Sequence, residues 1–182
     1  MIGIIIAIVV VGLLLYVIGT YNTLVGLRNK VEDSWAQIEV LLKRRTDLIP
    51  NLVEVVKGYA KHEEETLKEV VEIRNKAMGA TTKEDEMKAS GEVSNALSRL
   101  FALTESYPDL KANTNFIDLQ NNLKETEDKL SFSRQFYNDT VLKYKDKLQM
   151  FPSNIVANLF SFKPAVFFEA SEEDRKVPEV KF

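Results

Sequence analysis

Few side chains in this sequence could do chemistry together. His62-Glu63-Glu64-Glu65 is the densest run of groups that could bind a metal or move a proton. A zinc-protease helix carries a second His four residues after the first, so that two imidazoles share one face, and Thr66 stands at that position. A carboxylate-bridged di-metal bundle needs a Glu-x-x-His pair on each of two helices, and the chain has 1 His. The run therefore reads as a solvated acidic face beside Lys61 and Lys68, and metal-dependent hydrolysis ranks last among the functions considered. With 0 Cys there is no thiolate nucleophile, zinc–thiolate site or disulfide. Neither the phosphate loop G-x-x-x-x-G-K nor the nucleophile elbow G-x-S-x-G occurs. Carboxylate pairs for glycoside chemistry must face a sugar-sized cleft, which a narrow bundle does not supply. No catalytic, cofactor-binding or metal-binding residue is expected, and no small-molecule substrate.

The basic cluster Lys43-Arg44-Arg45 could meet anionic lipid. On a helix running straight out of a bilayer it would stand roughly 35 Å away at 1.5 Å per residue, several times the ~8 Å screening length. Pairing with Asp47 or binding a partner fits better. A net charge of −3 and a pI near 5.4 speak against nucleic acid as the main partner. Asn138-Asp139-Thr140 has the form of a glycosylation sequon but falls within a helical pattern and carries no weight.

The elements that must position these groups begin with an apolar segment. No charged side chain occurs before Arg28, and Ile2 to Ile18 is nearly continuous Ile, Val, Leu, Ala and Gly. A hydrocarbon core about 30 Å thick needs roughly 17–25 such residues. A signal peptide would carry Lys or Arg before the run and a small-x-small cleavage site after it; both are missing here. Residues 1–21, with Ile2, Ala7, Gly12, Leu15 and Ile18 in the span, are expected to be a retained anchor. Tyr16 and Tyr21 sit where interfacial aromatics belong. Arg28 and Lys30 follow the span, so the positive-inside rule puts the body in the cytoplasm and the N-terminus outside. Gly12, Gly19 and Gly26 recur every seven residues and could let helices approach closely in the bilayer.

Beyond the span the periodicity is helical. Leu24, Leu27, Val31, Trp35, Ile38 and Leu42 recur at threes and fours, and a second stretch runs from Leu52 through Val56 and Leu67 to Ile73. Pro50 falls between them. With no Gly or polar turn cluster around it, a kinked continuation is favoured over a hairpin. Gly79 reads as a stop and Thr81 with Glu84 as a capping box. The next helix ends before Tyr107-Pro108-Asp109. Asn113 or Asn115 then caps a heptad-like seam from Phe116 to Phe151, with Thr126 and Ser133 as polar members. The expected fold is all-α: an N-terminal transmembrane helix, an elongated antiparallel bundle over 22–160, and a tail over 161–182 that packs on the bundle or is partly extended.

These blocks resemble a known family. They are Tyr21-Asn22-Thr23-Leu24-Val25, Trp35-Ala36-Gln37-Ile38, Leu42 to Glu54 with Arg44, Arg45, Asp47 and Pro50, and Val56 to Glu63. Further on come Tyr107-Pro108-Asp109-Leu110, Thr126-Glu127, Arg134, Tyr137-Asn138 and the closing Val177 to Phe182. The chain is similar over nearly its whole length to the LemA family of bacterial membrane proteins. That resemblance implies one N-terminal span, a helical body and no known enzymatic activity. Related domains in magnetosome membrane-formation proteins point to membrane organisation. The leading expectation is a scaffold that meets other membrane proteins or copies of itself in the bacterial cytoplasmic membrane. A lipid-binding or membrane-shaping role through the bundle and aromatic tail is the alternative. Arg44, Arg45, Asp47, Arg74 and Arg134 are expected to fix helix register or to form a polar docking surface, and the Tyr107-Pro108-Asp109 turn to reverse the chain or to meet a partner.

Overall fold

The computed structural model describes residues 1–168. Six helices follow in order: α1 (Ile2–Tyr59), α2 (Glu64–Met78), α3 (Lys83–Thr104), α4 (Pro108–Lys111), α5 (Thr114–Gln149) and α6 (Ser153–Leu159). The described residues contain no strand, so the fold is all-α. They form two compact units. Met1–Gln37 and Ser133–Phe167 make the first, and Ile38–Phe132 with Phe168 the second.

In the first unit, α1 begins as a helix apolar on every side. Its most apolar 18 residues have a mean hydropathy of 3.0 and none is buried, so its length and composition suit it to crossing a membrane. Burial begins at Thr20 and recurs at Leu24, Val31 and Trp35. On α5, Tyr137, Thr140, Val141 and Tyr144 are buried in the same unit. The Trp35 and Tyr137 rings pack edge-on with centroids 5.3 Å apart. At the other end of the pair, Tyr21 packs edge-on against Phe160 and Phe162, at 4.8 and 5.6 Å. The two helices are therefore antiparallel. Ser153 closes α5 by donating from Oγ to Lys147 O and Met150 O, at 2.7 and 2.8 Å, where the last helical carbonyls lack backbone partners. After α6 the chain turns back along α5. Tyr144 Oη donates to Lys163 O at 3.0 Å, Tyr137 Oη to Val166 O at 2.8 Å, and Lys145 lies 5.2 Å over the Phe167 ring. Of the expected tail, residues 161–168 thus lie against the first unit or, at Phe168, in the second; the remainder falls outside the described residues. The heptad seam ends sooner than its sequence suggests, because Phe151 is 80% exposed.

The second unit is a four-helix bundle of α1 from Ile38 onward, α2, α3 and α5 up to Phe132, with α4 as a single turn. Ile49, Leu52, Val56, Leu67, Leu100 and Phe116 are among its buried core, each worth about 1.5–3 kcal/mol of burial. Lys76 pairs with Glu92, and Arg99 with Glu69, both at 2.7 Å. As numbers rise along α2 they fall along α3, so these helices are antiparallel. Helix α1 continues through Pro50 without a break. The stretch from Leu52 to Ile73 is divided instead, at residues 60–63. Gly58 weakens the end of α1, and no apolar face continues between Ala60 and Leu67. The acidic run does not lie along a mid-helix face. Glu64 and Glu65 occupy the first turn of α2, where the helix dipole favours anions. Gly79 caps α2 with an ordinary right-handed φ of −89°. The α3 cap is one residue later than the spacing suggests: Thr82 Oγ1, not Thr81, accepts from Asp85 N at 3.1 Å. This puts Glu84, Asp85 and Glu86 together in the first turn. Asn113 caps α5, its Oδ1 accepting from Phe116 N at 3.0 Å.

Candidate functional site

Two of the charged residues singled out in the sequence, Arg44 and Arg45, find partners on other helices within the second unit. Arg45 is 1% exposed. A guanidinium has five donors in a fixed fork and cannot be neutralised, so it can be buried only where acceptors surround it. Nη1 donates to Glu127 Oε2 at 2.8 Å and to Ser94 Oγ at 2.9 Å. Nη2 donates to Ser90 Oγ at 2.7 Å and Ser90 O at 3.1 Å. One side chain thereby joins α1, α3 and α5. Arg44, one position earlier, reaches Asn122 Oδ1 at 3.3 Å and Glu125 Oε2 at 3.4 Å, nearer the surface. Lys129, together with Arg44, holds the Glu125 carboxyl below its ordinary range, the Lys129 hydrogen bond being the larger cause. Asp47 is paired with Lys43 at 2.9 Å on an exposed face of α1.

A cavity of about 240 Å³ adjoins this network, lined by Glu39, Leu42 and Arg45 of α1, Met78 of α2, and Glu86 and Ser90 of α3. Glu86 Oε2 is buried with no hydrogen-bond partner among the described residues. Burial pushes its carboxyl up, Glu39 adds to this, and Lys83 opposes it. Among the described residues no group of three or more His, Cys, Asp or Glu is arranged to hold a metal ion.

Tyr107 Oη donates to Glu63 Oε1 at 3.0 Å, and Asn113 Nδ2 to Tyr59 Oη at 2.9 Å. These bonds tie the α3–α4–α5 connection to the end of α1 and the start of α2. Pro108 occupies the first turn of α4, where a missing N–H costs nothing. Leu110 is fully buried while Pro108 and Asp109 face outward. Arg134 is half-buried and belongs to the first unit, whereas Arg45 belongs to the second. Around Gly12, Gly19 and Gly26 the space a Cβ would occupy is open.

Ser90 and Ser94 were not legible as the acceptors of Arg45. Small hydroxyls recur widely in helices, and the only hint is their spacing of four, which gives them one face.

Comparison with known proteins finds related sequences over most of the chain. The LemA family profile matches residues 34–182. A LemA protein of Metamycoplasma hominis is 25% identical, over 92% of this chain and 78% of its own length. A magnetosome protein MamQ of Paramagnetospirillum magneticum is 26% identical over 82% of this chain, and one of Magnetospirillum gryphiswaldense 24% identical over 81%. In both magnetosome proteins the match spans 64% of their length, just under two thirds. None of these relatives carries an enzyme's name. With a profile match over most of its length and one apolar helix suited to a bilayer, the chain belongs to the LemA family.

Proposed function

We propose that the protein is a single-pass scaffold of the bacterial cytoplasmic membrane, without catalytic activity of its own, that organises membrane protein partners or copies of itself. One observation carries this reading: α1 runs unbroken from Ile2 to Tyr59, exposed and apolar at first and a bundle member thereafter. One helix is then both anchor and body. Arg45, Arg44 and Arg74 spend their donors on neighbouring helices, which suits register-fixing better than docking. The outward Pro108 and Asp109, on a turn pinned by Leu110, are the better partner contact. Arg28 and Lys30 behind the span favour a cytoplasmic body.

The test is to excise full-length protein from its membrane with surrounding lipid and size the particles. Particles containing further copies or a stoichiometric second protein are expected. Particles holding a single copy and lipid alone overturn the scaffold. Orientation is read with Ser98→Cys, an exposed site in a cysteine-free chain. A membrane-impermeant thiol reagent should label it only after lysis; labelling of intact cells reverses the assignment.

A further inference from the structure

We propose that α6 and the turn before it form a second membrane contact, lying in the interface of the leaflet from which the anchor emerges. The evidence is the antiparallel register of the first unit. Trp35 lies beside Tyr137, and Tyr21 lies beside Phe160 and Phe162. The α5–α6 turn is therefore level with the residue at which the apolar segment of α1 ends. After α6 the chain retreats along α5 to Lys163 and Val166, which makes α6 the membrane-proximal end of this hairpin.

Helix α6 is two-faced. Ser153, Val156 and Ala157 are buried against the unit. On the other side Phe151, Ile155 and Leu159 recur every four residues and are 80%, 58% and 70% exposed, with Met150 and Phe160 exposed beside them. A stripe of large apolar side chains is costly to leave in water. This one is contiguous, through the Tyr21–Phe160 contact, with the exposed apolar surface of the span itself. That continuity selects lipid as the occupant rather than a second copy or another protein. Amphipathic helices bury such faces at the headgroup–acyl boundary, where Tyr and Phe rings and an exposed Lys163 also fit. The consequence is mechanical: two attachments fix the tilt and depth at which α1 leaves the bilayer, where one would leave it to swivel.

The inference rests on residues 2–21 being a retained span, so its test carries a separate control for that. Single cysteines at Leu159, Ser98 and Ile8 of the full chain are labelled with an environment-sensitive fluorophore. The protein is then reconstituted in vesicles of phosphatidylcholine and phosphatidylglycerol. The Leu159 probe should be quenched by lipids brominated near the headgroup and severalfold less by aqueous iodide than the Ser98 probe. Iodide quenching equal to that at Ser98 overturns the inference. So does shielding from both quenchers, which would mean that protein covers the face. If the Ile8 probe is lipid-quenched in either of these cases, only the α6 contact falls. If it is not, the span falls and the α6 contact with it.

Discussion

Arg74 Nε donates to Thr46 O at 3.2 Å, across from α2 to α1. Thr46 O is the carbonyl that the N–H of residue 50 would take in an unbroken helix, and residue 50 is proline. The side chain of one helix thus supplies the donor that the backbone of the other lacks. This is why α1 passes through Pro50 with its core face intact: Ile49 and Leu52, on either side, are both buried. Replacing Arg74 with Met should destabilise the protein by about 1–2 kcal/mol, the cost of leaving a partly buried acceptor unmade. In a Pro50→Ala background Thr46 O regains its helical partner, so the same Arg74 replacement should cost roughly 1 kcal/mol less. A double-mutant cycle by thermal unfolding of the solubilised full chain checks this, and strict additivity would remove the coupling.

Arg45 should be the most expensive charged residue to replace. Removing one partner of a buried ion pair costs about 3–5 kcal/mol. The Glu127 side chain is 41% exposed and can regain water, so Arg45→Met should fall at about 2–4 kcal/mol. Glu127→Ala should cost a similar amount, because it leaves the guanidinium buried without its counter-charge. Arg45→Lys should not rescue, since a single ammonium cannot reach Glu127, Ser94 and Ser90 together. Urea unfolding reads all three, and losses under about 1 kcal/mol throughout would show that the network does not hold the helices together.

The parts of this structure set by periodicity were legible in the sequence, and the parts set by distant partners were not. The apolar run of α1 and the seam from Phe116 through Tyr144 follow from spacing alone. The reversal at residues 60–63 escaped because helical spacing survives a break when buried positions resume in phase, as Val56, Ala60 and Leu67 do. Its signals were weak ones: Gly58, Lys57 before the break and Glu64-Glu65 after it. The partners of Arg45 lie 45 to 82 residues away, and nothing local in the sequence encodes them. Phe151 was misplaced in the core because its spacing continues the seam past the point where α5 ends.

Gly12 and Gly19 give a prediction about assembly. A Cβ at either position meets nothing within 4 Å, so no contact among the described residues calls for glycine there. Gly12→Ile with Gly19→Ile should therefore leave the fold and thermal stability unchanged. If copies pack through this face in the bilayer, the double variant should give smaller particles in native lipid. Unchanged particle size would assign assembly to the body or to a different partner.

Ser161 adopts a φ of 55° at the end of α6. Its N–H reaches Asn158 O and the next, that of Phe162, reaches Ala157 O, at 3.2 and 3.0 Å. That is the Schellman pairing, whose left-handed residue is usually Gly. A left-handed non-Gly residue costs roughly 1–2 kcal/mol, and glycine returns part of this as unfolded-state freedom. Ser161→Gly should stabilise by about 0.5–1 kcal/mol, and Ser161→Val should destabilise, since a branched Cβ suits this conformation least. Thermal unfolding orders the three chains, and Val above Ser would overturn the account.

Glu86 gives the pH dependence with an unusual sign. Its carboxyl lies above the ordinary 4.5, by burial first and the neighbouring Glu39 second. The folded state therefore binds this proton more tightly than the unfolded state does. Linkage then makes the charged form a cost to folding near neutral pH. The cost is relieved as pH falls through the raised folded value, and the relief is complete below 4.5. Glu86→Gln, neutral at every pH, should raise Tm near neutral pH and lose that advantage over the same window on acidification. Glu125 has the opposite sign, its carboxyl being lowered chiefly by the Lys129 hydrogen bond. Its contribution is present above 4.5 and disappears as pH falls through the lowered folded value. Glu125→Gln should accordingly lower Tm near neutral pH and converge with the parent in acid. A Tm difference for Glu86→Gln that does not change with pH would mean that its carboxylate is solvated and that the cavity beside Arg45 admits water freely.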